Sequence, residues 1–298
     1  MSALHRREIV RESGVDDLLL SYRNEIYTAA FFAAITLVAI WESIAPRRYI
    51  GAHLRRRWVG NIALATLNFG VLYLIFPVAA VGFSIVIERQ EIGVLRWAGV
   101  TLWLATIIGY LAIDFGRYLQ HYLLHRISFL WRFHRIHHAD LDIDFTVGLR
   151  FHPIEALFTV TFIFGVIALL GAPPIAVLAA EVGAAISGMV VHTNGRTPNW
   201  VERFVRLLFV TPDMHRIHHS LDRREHNRNF SVVYSFWDRL CGTYLARPSV
   251  PHEIMAFGLP NLRTPECLTL RWMLVSPFKV IRSPGAAPKK GAENPLSD

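Results

Sequence analysis

Three groups of histidines in the middle of the chain have the spacing of metal ligands. They are HYLLH at 121–125, HRIHH at 134–138 and a second HRIHH at 215–219. Residues i, i+3 and i+4 of an α-helix share one face, so each triplet is expected to aim three imidazoles at a common point. Neutral imidazole suits iron, zinc, copper or nickel better than magnesium or calcium. Eight histidines exceed what one ion can use, which indicates two ions.

The remaining histidines divide into three kinds. His192 closes an apolar run and is expected at the same level as the boxes, as a ninth ligand. For His152 and His226 a ligand role and a structural role both stay open. Single histidines near helix ends usually cap the helix or extend toward polar surroundings, and this is the expectation for His5, His53 and His252.

Several carboxylates lie near the boxes in sequence. A ligating histidine usually donates its second N–H to a carboxylate or a carbonyl, and the candidates are Asp114, Asp140, Asp142, Asp144, Asp213 and Asp238. For the three at 140, 142 and 144 a solvated loop charge is the preferred interpretation. Glu181 lies inside an apolar run, where a charge is costly, so we expect it to line a route or to bond a neighbouring helix.

The segments that must position these groups are apolar. Of the 298 residues, 53% are hydrophobic and 18% are charged. A spanning helix needs about 20 apolar residues, and the candidate runs are 27–44, 60–87, 95–113, 156–170 and 175–191. Pro77 is expected to kink or divide the second run. The breaker at 171–174 makes the last two runs a helical hairpin, which is short for two full crossings.

Charge and cysteine content narrow the class of protein and its orientation. The formal net charge of +8 on an apolar chain points to loops that face anionic lipid rather than to nucleic acid. Two cysteines exclude a disulfide framework and a multi-cysteine zinc site. Mixed charges in the first 25 residues predict no cleavable signal peptide. The arginines at 47, 48 and 55–57 predict a cytoplasmic loop, and counting crossings from it places all three boxes on the cytoplasmic side.

The order of these motifs resembles the fatty acid hydroxylase/sterol desaturase superfamily over about residues 95–245. The resemblance rests on HxxxH, HxxHH, a membrane hairpin and HxxHH, followed by Asn229-Phe230 and WDRLCGT at 237–243. Relatives often have glycine where this chain has Ser231 and phenylalanine where it has Cys241, and some have a further histidine at the position of Gly188. These departures concern the substrate and the ligand count more than the metal site.

The resemblance implies an all-α integral membrane bundle with a histidine-rich di-metal cap on the cytoplasmic side. It implies an O2-dependent monooxygenase that hydroxylates or desaturates a lipid or sterol-like C–H bond with two non-haem irons, although a purified sample could carry zinc. The ligands carried over are His121, His125, His134, His137, His138, His192, His215, His218 and His219. The electrons are expected from a separate redox protein.

The predicted organisation has three parts. Residues 1–94 form an N-terminal membrane anchor region, 95–245 a fatty acid hydroxylase-like catalytic domain, and 246–298 a C-terminal extension whose tail from about 282 is expected to be disordered. The main alternative is a histidine-rich membrane protein without oxygen chemistry, either a zinc hydrolase or a metal transporter. A zinc protease would show His-Glu-x-x-His, and Arg135 stands where that glutamate would be.

Overall fold

The computed structural model describes residues 14–50, 53–76 and 78–279, and within these ranges the regular structure is helical. Isolated β-bridges join loop segments, and no strand forms in the described part of the chain. The predicted all-α fold is confirmed. His5, Pro77 and the tail from about residue 282 lie outside the described ranges, so the predictions made for them stay predictions.

The connections between successive helices range from one residue to a long segment before the last helix. Their bounds are α1 Gly14–Ser21, α2 Arg23–Ile44, α3 Leu54–Ile75, α4 Ala80–Arg89, α5 Val94–Trp97, α6 Leu102–Arg126, α7 Ser128–His138, α8 Pro153–Leu170, α9 Pro174–Val191, α10 Asn199–Val205, α11 Pro212–His218, α12 Phe236–Leu240 and α13 Leu270–Val275. Short 3-10 turns cover Phe145–Leu149, Pro265–Leu268 and Ser276–Phe278.

Five stretches of the described chain are long and apolar enough to cross a membrane, in agreement with the five predicted runs. They are Arg23–Ile44, Leu54–Trp97, Leu102–Arg126, Pro153–Leu170 and Pro174–Val191. Their length and composition make the protein a multi-pass membrane bundle. The predicted hairpin corresponds to α8 and α9. Both helices are 18 residues long, and both are apolar enough to cross a membrane.

The third predicted run has the wrong bounds. The helix α6 begins at Leu102 instead of residue 95 and continues to Arg126, so that HYLLH occupies its last two turns. The predicted run ends at residue 113 because the polar residues Asp114 and Gln120 follow it in the sequence. Both of these side chains are buried against neighbouring helices, and a polar group that faces protein does not end a membrane helix.

The helix α9 lies at the centre of the bundle. It packs against α2, α4, α6 and, through its last turn, α11. The main apolar core joins α4, α6 and α9 with α8, through Val81, Ile113, Val177 and Ile167, respectively. Because the third histidine box follows α9 and the first box ends α6, this packing brings distant parts of the sequence to one end of the bundle.

The turn between α8 and α9 depends on glycine. Gly171 has φ +65°, in the left-handed region that ends many helices. A Cβ on Gly171 would collide with the backbone at Ile92 and Gly93. The close approach fixes the far end of the hairpin against the loop that precedes α5.

A buried ion network anchors α3 to the loop that follows α7. The Arg57 guanidinium bonds Asp140 at 2.5 Å and Asp144 at 2.6 Å, and Arg150 bonds Asn61 at 2.9 Å. The interpretation of the aspartates at 140 and 144 as solvated charges was therefore wrong, because neighbouring sequence does not reveal an arginine 83 residues away. Charge pairing of this kind compensates the desolvation of each partner.

Candidate metal centre

Nine histidines form two adjacent buried groups where α6, α7, α9 and α11 meet. The first group comprises His121, His125, His134, His138 and His218, and the second comprises His137, His192, His215 and His219. Within each group the candidate ligand atoms all lie within 4.8 Å of one another. These are the nine histidines that the sequence nominates, and their role as ligands stays a proposal.

The two groups do not correspond to separate boxes. In the second box His134 and His138 lie in the first group, whereas His137 lies in the other. In the third box the assignment is reversed, with His218 alone in the first group. The expectation that each triplet aims at a single point was therefore wrong. Consecutive helical residues point about 100° apart, so the adjacent pairs 137/138 and 218/219 each serve both groups.

Four of the rings are oriented by a hydrogen bond at Nδ1. His121, His192 and His218 are bonded to the carbonyl oxygens of Phe230, Gly188 and Arg228, at 2.7, 2.6 and 2.8 Å. His134 is bonded to a carboxylate, at 2.6 Å from Glu155 Oε1. Since Nδ1 donates in each case, the lone pair is on Nε2, the atom that faces the other imidazoles.

The nitrogens that face the centre lack ordinary hydrogen-bond partners. The Nε2 atoms of His121 and His218 are buried and have no hydrogen-bond partner among the described residues. The Nε2 atoms of His192 and His215 are 2.9 Å apart, and those of His134 and His138 are 3.2 Å apart. Buried polar atoms are normally satisfied. Convergent imidazole lone pairs without donors therefore fit metal ions, and two ions match the two groups.

Burial keeps these imidazoles neutral. It lowers the pKa of His134 to about 3 and that of His192 to about 4, and it holds the pKa of His218 well below its ordinary value. Removing a charged imidazolium from water is costly, so burial favours the uncharged ring. Neutral rings have a lone pair available to a metal at pH 7.

The motif after the third box positions a ligand. Asp238 accepts hydrogen bonds from the backbone N–H of Phe230 at 2.8 Å and of Ser231 at 3.0 Å. The carbonyl of Phe230 in turn holds His121. Asn229 has φ +56° and bonds the carbonyls of Met214 and Leu245. The Asn-Phe and Trp-Asp residues thus fix the backbone that holds the first box.

The other candidate carboxylates have different partners. Asp114 accepts from the Trp237 indole, and Asp213 pairs with Arg47. The residue that sequence reasoning missed is Glu155, in the first turn of α8. Its position at a helix N-terminus is ordinary for an acidic residue, so no signal in the sequence singles it out. Only the fold reveals that it contacts a histidine 21 residues earlier.

The two undecided histidines lie outside both groups. His152 caps α8 by accepting from the backbone N–H of Ile154, which is a structural role. His226 stacks on Trp131 with ring centroids 5.7 Å apart, beside His125 and His138. His53 is at the start of α3 without a side-chain capping bond, and His252 is 3.8 Å from Asp213.

A cavity of about 330 Å³ extends from the histidines into the bundle. Its histidine end is lined by His121, His134, His137, His192 and His215. Toward the membrane segments its walls are mainly apolar and come from α2, α3, α8 and α9. Glu181 lines this cavity and also pairs with Arg117 of α6, so both expected roles are present. Concave, mainly apolar cavities of this size are typical sites for apolar ligands, and this one reaches the candidate metal centre.

The described chain is an all-helical membrane bundle, and it places two groups of imidazoles beside an apolar cavity. This combination indicates the class of membrane metalloenzymes. Residues 106–243 match the fatty acid hydroxylase family. This part of the chain, a little under half of its length, belongs to the fatty acid hydroxylase superfamily, and the hydroxylase and monooxygenase relatives indicate an oxidoreductase.

The chain is similar to several characterised lipid-modifying enzymes. It is 25% identical over 244 residues to the ornithine lipid hydroxylase OlsE of Rhizobium tropici, which covers 78% of this chain and 72% of that protein. It is 25% identical to human alkylglycerol monooxygenase, over 67% of this chain and 43% of the relative. It is 27% identical to human cholesterol 25-hydroxylase, over 47% and 51%. The chain thus spans about half the length of these two human relatives. No solved structure matches it.

Proposed function

We propose that the protein hydroxylates a C–H bond of a membrane lipid with O2, using two non-haem irons held by the two histidine groups. The observation that carries this proposal is the cavity, which connects apolar walls within the bundle to five of the candidate ligands. The names of the relatives support a lipid substrate, since they act on an ornithine lipid, an alkylglycerol and cholesterol.

The donor set is compatible with iron, and the proposed redox chemistry excludes zinc as the working metal. Imidazole binds iron, zinc, copper and nickel, and zinc alone has no redox chemistry. Breaking an unactivated C–H bond needs an oxidant that no side chain provides, and a pair of bound irons would supply that redox chemistry. In this assignment five histidines hold one ion and four hold the other.

The protein itself binds and orients the substrate. Phe31, Phe69, Leu72 and Val160 form an apolar wall that accepts a hydrocarbon chain and excludes water. Gln120 bonds Thr159 at 2.8 Å, and Arg117 pairs with Glu181, so these four polar side chains of the wall are held in two pairs. These two pairs offer hydrogen bonds to a polar group of the lipid, which favours an amphiphilic substrate over a plain hydrocarbon.

Hydroxylation also defines the other participants. Its balance is RH + O2 + 2 e⁻ + 2 H⁺ → ROH + H2O, so a reductant must deliver two electrons. A separate redox protein that binds on the side of the histidines fits this requirement.

We propose that the side of the membrane on which the histidines lie is cytoplasmic. Of the five arginines used to predict the orientation, Arg55 and Arg56 are exposed, whereas Arg57 is buried in an ion network.

The test combines metal analysis with isotope labelling. The detergent-purified protein is analysed for iron and by Mössbauer spectroscopy, reduced with dithionite, and exposed to ¹⁸O2 in the presence of lipids extracted from its native membrane. We expect two coupled irons per chain and one ¹⁸O atom in a lipid product, with no product from His218→Ala. A single zinc with lipid hydrolysis, or iron without labelled lipid, would contradict the proposal.

A further inference from the structure

On the basis of the hydroxylase function proposed above, we propose that an acidic one-electron carrier docks on the basic surface around Arg132, Arg223 and Arg228. We call this surface the arginine rim. Arg132 adjoins Trp131 in the chain, and Arg223 and Arg228 flank His226; these two rings stack on each other, Trp131 contacts the five-histidine group, and neither ring lines the substrate cavity.

The first argument is the thickness of protein over the metal centre. Electron transfer slows steeply with the separation between donor and acceptor, so a carrier should bind where that separation is smallest. His218 donates from Nδ1 to the carbonyl oxygen of Arg228 at 2.8 Å, and the side chain of Arg228 is exposed. A single residue therefore separates a candidate ligand from the solvent at this point.

A second contact reaches the same group of histidines. The ring centroid of Trp131 is 5.0 Å from that of His125 and 5.5 Å from that of His138. Trp131 is half-buried and stacks on His226 with an interplanar angle of 11°. The two aromatic rings thus lie between the first group and the outer surface, and neither of them lines the substrate cavity.

The charge of this surface selects the partner. Arg132, Arg223 and Arg228 are exposed. The neighbouring acidic side chains are already engaged, because Asp222 pairs with Arg224 at 2.9 Å, and Glu225 is buried and accepts from the backbone of Ser249. The rim therefore presents net positive charge, and complementary charge both speeds and orients the encounter with an acidic protein.

The two ends of the metal centre thus have separate tasks. Three of the four members of the second group line the cavity, namely His137, His192 and His215. Of the first group, two of five do so. Lipid would reach the histidines through the cavity within the bundle, and electrons would reach them from the loop at 221–228. A bound lipid therefore does not block the docking of the electron carrier.

The test measures reduction of the iron centre and does not depend on lipid turnover. A plant-type [2Fe–2S] ferredoxin, kept reduced by its reductase, is mixed with the oxidised holoprotein under anaerobic conditions in stopped flow. The double variant Arg132→Gln/Arg223→Gln is compared with Arg55→Gln/Arg56→Gln, which removes the same charge from the exposed start of α3. Dithionite reduction followed by ¹⁸O2 measures a single turnover of every variant.

We expect the rim variant to lower the second-order rate of reduction by ferredoxin about tenfold at low salt and to flatten its dependence on ionic strength. The α3 variant should leave both unchanged, and dithionite-driven turnover should be equal in all proteins. Equal rates and salt slopes in the two double variants would overturn the docking surface. So would loss of co-purified phosphatidylglycerol from the rim variant with an unaltered ferredoxin rate, because the rim would then bind anionic lipid.

Failure of the underlying function gives a different result. If the wild-type protein incorporates no ¹⁸O after dithionite reduction, lipid hydroxylation is wrong, and the docking of a donor for that reaction falls with it. A second outcome is that dithionite gives labelled lipid, but ferredoxin reduces neither the wild type nor the rim variant at a salt-dependent rate. Lipid hydroxylation then stands, and only docking at the arginine rim is refuted.

Discussion

His137 and His218 exchange places between the two histidine groups. His137 comes from the second box, yet its Nε2 atom is 3.2 Å from that of His192, in the group that also contains His215 and His219 of the third box. His218 comes from the third box, yet its ring centroid is 4.5 Å from that of His121 in the other group. The second and third boxes therefore each contribute to both candidate metal sites, which couples the folding of α7 and α11 to metal binding.

This exchange predicts which ion each variant loses. His137→Ala removes a quarter of the four-histidine group and His218→Ala a fifth of the five-histidine group. We expect each variant to lose mainly the ion of its own group and all lipid oxidation, while it remains inserted in the membrane. Mössbauer spectra of the two variants should show different residual sites. Identical spectra would contradict the division into two groups.

Glu155 is predicted to tune the first group through His134. The carboxylate is buried, and its second oxygen has no partner among the described residues. A carboxylate that accepts from a ligand makes that ligand more basic, and its loss typically lowers metal affinity about 10- to 100-fold. We expect Glu155→Ala to lose iron to a chelator faster than the wild type, with Glu155→Gln in between because its amide oxygen can still accept.

The chelation assay separates this role from a general defect in folding. Circular dichroism of both Glu155 variants should remain that of the wild type. A loss of iron that is equally fast in the glutamine and alanine variants would show that the carboxylate is not the relevant feature.

Sequence patterns revealed the helices and the nine candidate ligands because these depend on local spacing. Apolar length located the spans, and the i, i+3, i+4 pattern located the boxes. The pattern could not show that His137 and His138 diverge toward different sites, since this depends on where α11 packs. It also could not reveal Glu155, or that Asp140 meets Arg57, because both contacts join residues far apart in the chain.

Narrowing the cavity should impair lipid turnover without loss of metal. Ala185 of α9 lines the cavity, and it lies on the helix that leads to His192. Ala185→Leu adds bulk to a space of about 330 Å³. We expect KM for the lipid to rise and the single-turnover yield to fall, with unchanged iron content. The control is Ala33→Leu, at an exposed position of α2. Equal effects of the two substitutions would argue against the cavity as the access route.

The buried Arg57 network should contribute strongly to stability. Arg57→Met removes the cation bonded to Asp140 and Asp144 and leaves both carboxylates buried, with Arg150, 3.7 Å from Asp140, as the remaining cation. Breaking a buried pair in this way typically costs about 3–5 kcal/mol, which corresponds to a fall in Tm of roughly 10 °C for a domain of this size. Arg55→Met, at an exposed position of the same helix, should leave Tm nearly unchanged. Thermal unfolding in one detergent measures both.

His152 is predicted to make stability depend on pH near neutrality. Its Nδ1 atom accepts from the N–H of Ile154 at 3.1 Å, which only the neutral ring can do. Burial lowers its pKa, although the Leu274 carbonyl and Glu155 oppose that shift. The unfolded chain therefore takes up the proton first as pH falls below the ordinary pKa of histidine, and stability is lost over that range.

Replacing the cap at position 152 with a side chain that does not titrate should abolish this pH-dependent contribution to stability. We expect wild-type protein to lose about 1 kcal/mol relative to His152→Asn between pH 7 and pH 5, the usual value of an N-cap. The loss of the contact between Nε2 and the Leu274 carbonyl in this variant is a constant offset that does not vary with pH. Chemical unfolding at several pH values gives the two slopes, and parallel slopes would show that the ring does not titrate as proposed.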